Sequence, residues 1–222
     1  NAPTNGQFLS AQSGNTGGLT WAAVDTVTSD GQNNTVAGTN AGDSFTGTDA
    51  NHNTLFGKNA GTAITEGDYN TAVGSGALIT NATGAGNTAM GWKALEDCQS
   101  TGEYNTAVGY AAGEGLTTGD RNVAIGASAL DAAVTGSDNI AIGGSSLTAN
   151  TSGAGNVAIG YQALATNTSL NNQTAVGYRA LTTSDSSGAE NTAVGYLAGE
   201  DVSTGYRNTL VGFEAGKNIT TG

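Results

Sequence analysis

Residues 105–113 read NTAVGYAAG, residues 191–199 read NTAVGYLAG and residues 173–181 read QTAVGYRAL. The phrase recurs along the chain with its ninth letter alternating between Gly and Leu. Aligned on the leading Asn, copies begin at Asn34, Asn53, Asn70, Asn87, Asn105, Asn122, Asn139, Asn156, Gln173, Asn191 and Asn208. The spacings are 19, 17, 17, 18, 17, 17, 17, 17, 18 and 17 residues. A period of this size marks a solenoid, whose turns bury their apolar residues only by stacking on one another. The expected fold is all-β, a parallel β-roll or β-solenoid of about eleven 17–18-residue turns over residues 34–222. Residues 1–33 are expected to form a connector or capping segment.

Counting from the Asn as zero gives each column a role. Position 1 is Thr or a β-branched residue, and position 3 is a larger apolar residue. Strand side chains alternate, so these two share a face. That face is expected to line the solenoid's own core, which makes Val73, Met90, Val108, Ile125, Ile142, Ile159, Val176 and Val194 core candidates. Position 4 is Gly in every copy, from Gly38 to Gly212, and reads as a corner. No helical period is present.

The Leu/Gly alternation falls at position 8. Six copies carry Leu78, Leu95, Leu130, Leu147, Leu164 and Leu181, and five carry Gly42, Gly61, Gly113, Gly199 and Gly216. Every Gly copy has a large apolar residue at position 11: Phe45, Ile64, Leu116, Val202 and Ile219. Every Leu copy has a polar or small one there: Asn81, Cys98, Ala133, Asn150, Asn167 and Ser184. Each rung is therefore expected to hold one large plug, supplied from either of two positions, because a second would overpack and none would leave a cavity.

Position 2 is Ala in eight copies: Ala72, Ala89, Ala107, Ala124, Ala141, Ala158, Ala175 and Ala193. On the same alternation it faces away from the core. A persistent small apolar residue there implies that the outer face is covered, and another copy of the chain is the expected cover. The leading Asn side chains are expected to form a hydrogen-bonded ladder. Trp92, Tyr110, Tyr161, Tyr178, Tyr196 and Phe213 recur just past the Gly corner and are candidates for a surface contact stripe or a subunit boundary.

NVAIG at 122–126 and 156–160, NIAIG at 139–143 and the NTAVG copies resemble the head repeats of trimeric autotransporter adhesins, a repeat type also found in phage tail fibres. That family's heads are left-handed parallel β-rolls that associate as trimers, so the resemblance implies a homotrimeric fibre. The rungs are longer here than the usual head repeat. PTNGQFL at 3–9 and GLTW at 18–21 resemble connector segments of phage tail-fibre proteins. The expected function is a structural and adhesive segment of a surface fibre, a tail-fibre shaft or receptor-binding region. Its expected partners are its own copies and a host cell-surface receptor, protein or glycan. It is expected to be extracellular, on a virion or a bacterial surface. The alternatives are a bacterial adhesin head and, lower, an ice-binding solenoid, whose Thr column would be broken by Val123, Ile140 and Val157.

Composition narrows the partners. The 222 residues carry 18 acidic and 6 basic side chains, a net charge of −12. Such a chain is a poor ligand for nucleic acid or anionic membrane. No apolar run approaches the roughly 20 residues that span a bilayer. His52 is the one histidine and Cys98 the one cysteine, so neither a metal cluster nor an internal disulfide is expected. No nucleophile, phosphate-loop or zinc motif occurs, and neither catalysis nor a cofactor is expected. Asp68, Glu103, Asp120, Asp138 and Glu190 precede the strands and are expected to act in solubility.

Overall fold

A computed structural model of the chain describes residues 7–10, 20–23, 28–45, 49–99, 101–132, 134–183 and 189–220. The position-11 residues Ala133 and Ser184, and most of the two connector-like stretches, lie outside them. Strands β1 (Gln7–Ser10) and β2 (Thr20–Ala23) pair as an antiparallel hairpin. Strand β3 (Thr28–Ser29) lies antiparallel to β4 (Thr35–Ala37).

The solenoid follows. Strands β5 (Thr54–Phe56), β6 (Thr71–Val73), β7 (Thr88–Met90), β8 (Thr106–Val108) and β9 (Val123–Ile125) stack on β4 in sequence order. Strands β10 (Ile140–Ile142), β11 (Val157–Ile159), β12 (Thr174–Val176), β13 (Thr192–Val194) and β14 (Thr209–Val211) continue the stack. All eleven run parallel, with like over like: Thr71 beside Thr88, Ala72 beside Ala89, Val73 beside Met90. Among the described residues, bends, tight turns and short irregular segments make up the rest of each rung, with one isolated parallel bridge between Leu116 and Val134, and no helix occurs.

Each strand ends at its Gly corner for a steric reason. Gly109 has φ 140° and Gly126 has φ 126°, both in the region L side chains avoid. A Cβ on Gly109 would sit 2.8 Å from the carbonyl carbon and oxygen of Gly126 one rung on. The backbones of successive corners touch, so the column admits no side chain.

The core corrects the orientation expected from the sequence. Ala72, Ala89, Ala107, Ala141, Ala158, Ala175 and Ala193 are fully buried, and Ala124 nearly so, inside their own solenoid. The expected subunit-contact column is the strand's inward face. Conversely, Val73, Met90, Val108, Ile125, Ile142, Ile159, Val176 and Val194 do not enter the core. Met90 is 44% exposed, Ile125 and Ile159 are 37% exposed, and Val108, Ile142 and Val176 are half-buried. The reason is the width of the interior. A Cβ at Gly113 (position 8) would lie 3.6 Å from the Ala107 methyl and 3.8 Å from that of Ala124. Position 8 thus faces position 2 across the rung, and a Leu on one wall leaves room only for a methyl on the other.

Nine of the eleven expected plugs are enclosed; the exceptions lie in the first and last rungs, where Phe45 is half-buried and Ile219 is 40% exposed. Leu78, Leu95, Leu130, Leu147, Leu164 and Leu181 are fully buried, as are Ile64 and Val202, with Leu116 1% exposed. Position 8 is left-handed in every copy. Its Gly residues have φ between 57° and 62°, and its Leu residues between 48° and 54°. A left-handed Leu costs about 1–2 kcal/mol, which its burial, worth about 1.5–3 kcal/mol, offsets. Where position 8 is Gly, the space is taken up by neighbouring apolar side chains: a Cβ at Gly42 would lie 2.8 Å from the Phe45 ring, one at Gly61 2.8 Å from both Ile64 and Leu55, one at Gly113 3.0 Å from Leu95, and one at Gly216 2.7 Å from Leu210 and 3.2 Å from Ile219. The non-Ala residues at position 2, Val36, Leu55 and Leu210, occur only opposite Gly42, Gly61 and Gly216.

In the four Leu rungs whose position-11 residue is described, that residue turns inward as well, which the sequence reading did not foresee. Asn81, Asn150 and Asn167 are fully buried. The Gly84 N–H donates to Asn81 Oδ1 at 2.7 Å, and Asn81 Nδ2 donates to the Gly84 carbonyl at 3.1 Å. Asn150 clamps Gly153 and Asn167 clamps Leu170 in the same way.

The leading Asn residues form the expected ladder. The Asn139 N–H donates to Asn122 Oδ1 at 2.9 Å, and Asn139 Oδ1 accepts from the Asn156 N–H at 3.1 Å. Asn139 Nδ2 donates to the Gly153 carbonyl at 2.8 Å, tying the strand start to the incoming loop. Gln173 takes one place in the series, and its Oε1 accepts from the Asn191 N–H at 3.0 Å.

Candidate interaction surface

With Ala turned inward, positions 1 and 3 of β4–β14 form the outward face of the sheet. It runs from Thr35 and Ala37 to Thr209 and Val211, and none of its side chains is charged. A chain with 24 charged residues, 18 acidic and 6 basic, has kept them all off this strip. The strip is most apolar at mid-stack, where Val123 and Ile125, Ile140 and Ile142, and Val157 and Ile159 lie side by side. Ten strand steps of about 4.8 Å make it roughly 48 Å long.

Two columns border the strip. Beyond the Gly corner, at position 5, stand the expected contact aromatics, all exposed. Trp92 stacks on Tyr110 at 4.7 Å between ring centroids. Tyr161, Tyr178, Tyr196 and Phe213 form a four-ring stack with spacings of 5.6, 5.3 and 5.2 Å and interplanar angles of 19°, 12° and 9°. The spacing is close to the strand repeat, which brings one ring per rung into contact with the next. Ring faces within a stack are therefore occupied by each other, and what the stack presents to a partner is a row of ring edges and tyrosine hydroxyls. Lys93 places its ammonium 4.9 Å from the Trp92 ring centroid and pairs with Glu96 and Glu114. Ala127 and Gly144 interrupt the aromatic column in the two rungs between the stacks.

Before the strand, at the residue preceding the leading Asn, lies the second column. His52 stacks on Tyr69 at 5.0 Å with a 7° interplanar angle. Arg121 donates from Nε to Asp138 at 2.7 Å and from Nη2 at 3.0 Å, and Arg207 Nε reaches Glu190 at 2.8 Å. The hydrogen bond from Arg121 holds the Asp138 carboxyl below its ordinary range. Both pairs are exposed and add little to stability. The acidic residues cap loops as well as confer charge: Asp68 accepts from the Asn51 N–H at 2.7 Å and Asp120 from the Glu103 N–H at 3.0 Å.

Cys98 is buried and its Sγ contacts the Gly102 carbonyl at 3.7 Å. Burial pushes its thiol up to about 12, with the Asp120 charge adding to the shift. Among the described residues, no group of three or more His, Cys, Asp or Glu side chains comes close enough to hold a metal, and no helix is long and apolar enough to cross a membrane. The outward Val and Ile column, the main surface feature, was missed as such in the sequence. One signal could have found it: position 2 is Ala in eight copies and larger only where position 8 is Gly, as an enclosed space demands, whereas position 3 ranges over Ala, Phe, Val, Met and Ile. Comparison with protein-family models, with curated proteins and with solved structures finds no match to this chain.

Proposed function

We propose that this chain is a segment of a surface fibre that assembles from three parallel copies through the outward faces of β4–β14. The observation that carries the proposal is the uncharged apolar strip, left open along the whole length of a strongly acidic single chain. With its flanking columns the strip is about 20 Å wide, on the order of 1,000 Å² per chain, the size of a stable protein interface. The repeat pattern supports a fibre of the type seen in trimeric adhesin heads and phage tail fibres. The role is mechanical and adhesive: a stiff shaft that projects or contacts a host surface receptor, on a virion or, as the alternative, on a bacterial cell. Neither catalysis nor a cofactor enters this reading.

The test is the mass in solution, expected at about three times the 21.7 kDa of the chain. Ile125→Asp/Ile159→Asp places two carboxylates on the strip without touching the core, and should give a folded monomer. A monomeric wild-type protein at micromolar concentration refutes the proposal. The second reading, an ice-binding face, draws support from the outward Thr residues, which are regularly spaced on a long sheet. It ranks lower because Val123, Ile140 and Val157 break the column at mid-stack. Thermal hysteresis in the wild-type protein would reverse this order.

A further inference from the structure

Three outward strand faces turned toward a common axis form a triangular prism. At each of its corners the strand-start edge of one copy meets the strand-end edge of the next. We infer that these two edges, the residue before the leading Asn and the residue after the Gly corner, are complementary docking surfaces that set the rung-for-rung register between copies. The inference rests on the assembly proposed above and adds which columns meet and at what height.

Size compensation between the columns carries the argument. Where the start edge is bulky, the end edge of the same rung is small: Tyr69 with Ser75, Arg121 with Ala127, Asp138 with Gly144. Where the start edge is Gly, the end edge is a ring: Gly86 with Trp92, Gly155 with Tyr161. Within the six central rungs, from Asn70 to Asn156, that of Tyr104 and Tyr110 departs from the rule; outside them His52 with Lys58, Asn172 with Tyr178, Glu190 with Tyr196 and Arg207 with Phe213 carry bulk at both edges, so the compensation, and the register it sets, belongs to the middle of the stack. Within one chain the two columns cannot touch, because six residues of largely extended backbone set them up to about 20 Å apart. Packing along the stack accounts for some of the small residues, since the Tyr104 ring leans over Gly86 and the Tyr161 ring over Gly144. It does not account for the bulk at the opposite end of the same rung. Contact between copies at equal height accounts for both. The notch left by Ala127 and Gly144 would then receive the Arg121–Asp138 ion pair of the next copy.

The test is a disulfide that only neighbouring copies can form. Asp138→Cys/Gly144→Cys, oxidised and run without reductant, should give covalent trimers, whereas either single substitution should not. Intrachain closure is barred by the distance, as bridged Cα atoms lie within about 7 Å. Asp138→Cys/Ala127→Cys, offset by one rung, should cross-link far less. Gly144 has ordinary backbone angles and a Cβ there lies 3.4 Å from the Tyr161 ring, so the site tolerates substitution. A second pair covers a failure of the cysteine variant to fold. Gly144→Tyr should raise the half-assembly concentration by about tenfold, and adding Asp138→Gly, which recreates the pairing of Gly155 with Tyr161, should restore it. A trimeric protein that neither cross-links in register nor shows this rescue overturns the edge pairing and leaves the assembly standing. A monomeric wild-type protein overturns both.

Discussion

Leu147 and Asn150 offer the sharpest test of how a rung is filled. Both are fully buried. Leu147 sits at φ 49°, and Asn150 exchanges two hydrogen bonds with Gly153 at 2.9 and 3.0 Å. Leu147→Gly empties the plug, for about 2–5 kcal/mol. It also releases a left-handed Leu, returning about 1–2 kcal/mol. Asn150→Leu forces a second plug into an occupied space, for about 1–3 kcal/mol, and strips the Gly153 amide of its acceptor for about 1–3 more. Simple addition would put the double variant about 2–10 kcal/mol below wild type. The double variant, however, reproduces the rung of Gly113 and Leu116, which has the same 17-residue length. It should lie within about 2 kcal/mol of wild type, so at the middle of the additive range, about 6 kcal/mol, the two substitutions should couple favourably by about 4 kcal/mol. The assay is denaturant unfolding of all four proteins at equal protomer concentration, since an oligomer's apparent stability depends on it. Additivity within about 0.5 kcal/mol would refute the shared plug.

Asn139→Ala should cost about 1–3 kcal/mol in the same assay, because it strips the buried Asn156 N–H of its acceptor, while the Gly153 carbonyl keeps its bond from Asn150 Nδ2. A loss below about 0.5 kcal/mol would mean that the ladder is ornamental. Gly143→Ala should cost more than about 3 kcal/mol, since its Cβ would sit 2.6 Å from the Gly160 carbonyl at a φ of 126°; circular dichroism and unfolding would show it. The Cys98 thiol is raised from 9.0 to about 12, so the folded protein holds its proton longer than the unfolded chain. The Cys98 contribution is full below about pH 9 and falls as pH climbs toward 12, by up to about 1.4 kcal/mol per pH unit. Comparison with Cys98→Ala across that window isolates the effect, and equal pH profiles would contradict it.

The period, the Gly corner, the Asn ladder and the plug exchange were legible because each is a constraint on one column repeated eleven times. The orientation of the strand was not, and the cause is specific. In most sheets the larger apolar residue of an alternating pair faces the core, and Val73, Ile125 and Ile142 were assigned on that ground. Here the interior is one side chain deep, and the plug at position 8 arrives from the opposite wall. Ala is the residue that fits beside Leu78 or Leu130, and the larger residues have only the outside left. Reading position 2 against position 8 would have revealed it, since Leu55, Val36 and Leu210 appear only where position 8 is Gly. The Asn81 clamp escaped because a polar residue in a loop column reads as solvated, and only the bonds to Gly84 show it facing inward.

The stacking also governs how the chain reaches this state. Ladder bonds join residues 17 to 19 apart, as between Asn70 and Asn87, Asn87 and Asn105, or Asn34 and Asn53. Set against 222 residues, a separation of 17 gives a relative contact order of about 0.08, within the range of helical bundles and well below that of β-sandwiches. Folding should therefore be fast for an all-β chain and limited by the first pair of stacked rungs. Each later rung closes only one short loop against a surface already made. Growth of this kind is one-dimensional, so a defect such as Gly143→Ala should stall the advancing front at its own rung rather than prevent nucleation elsewhere.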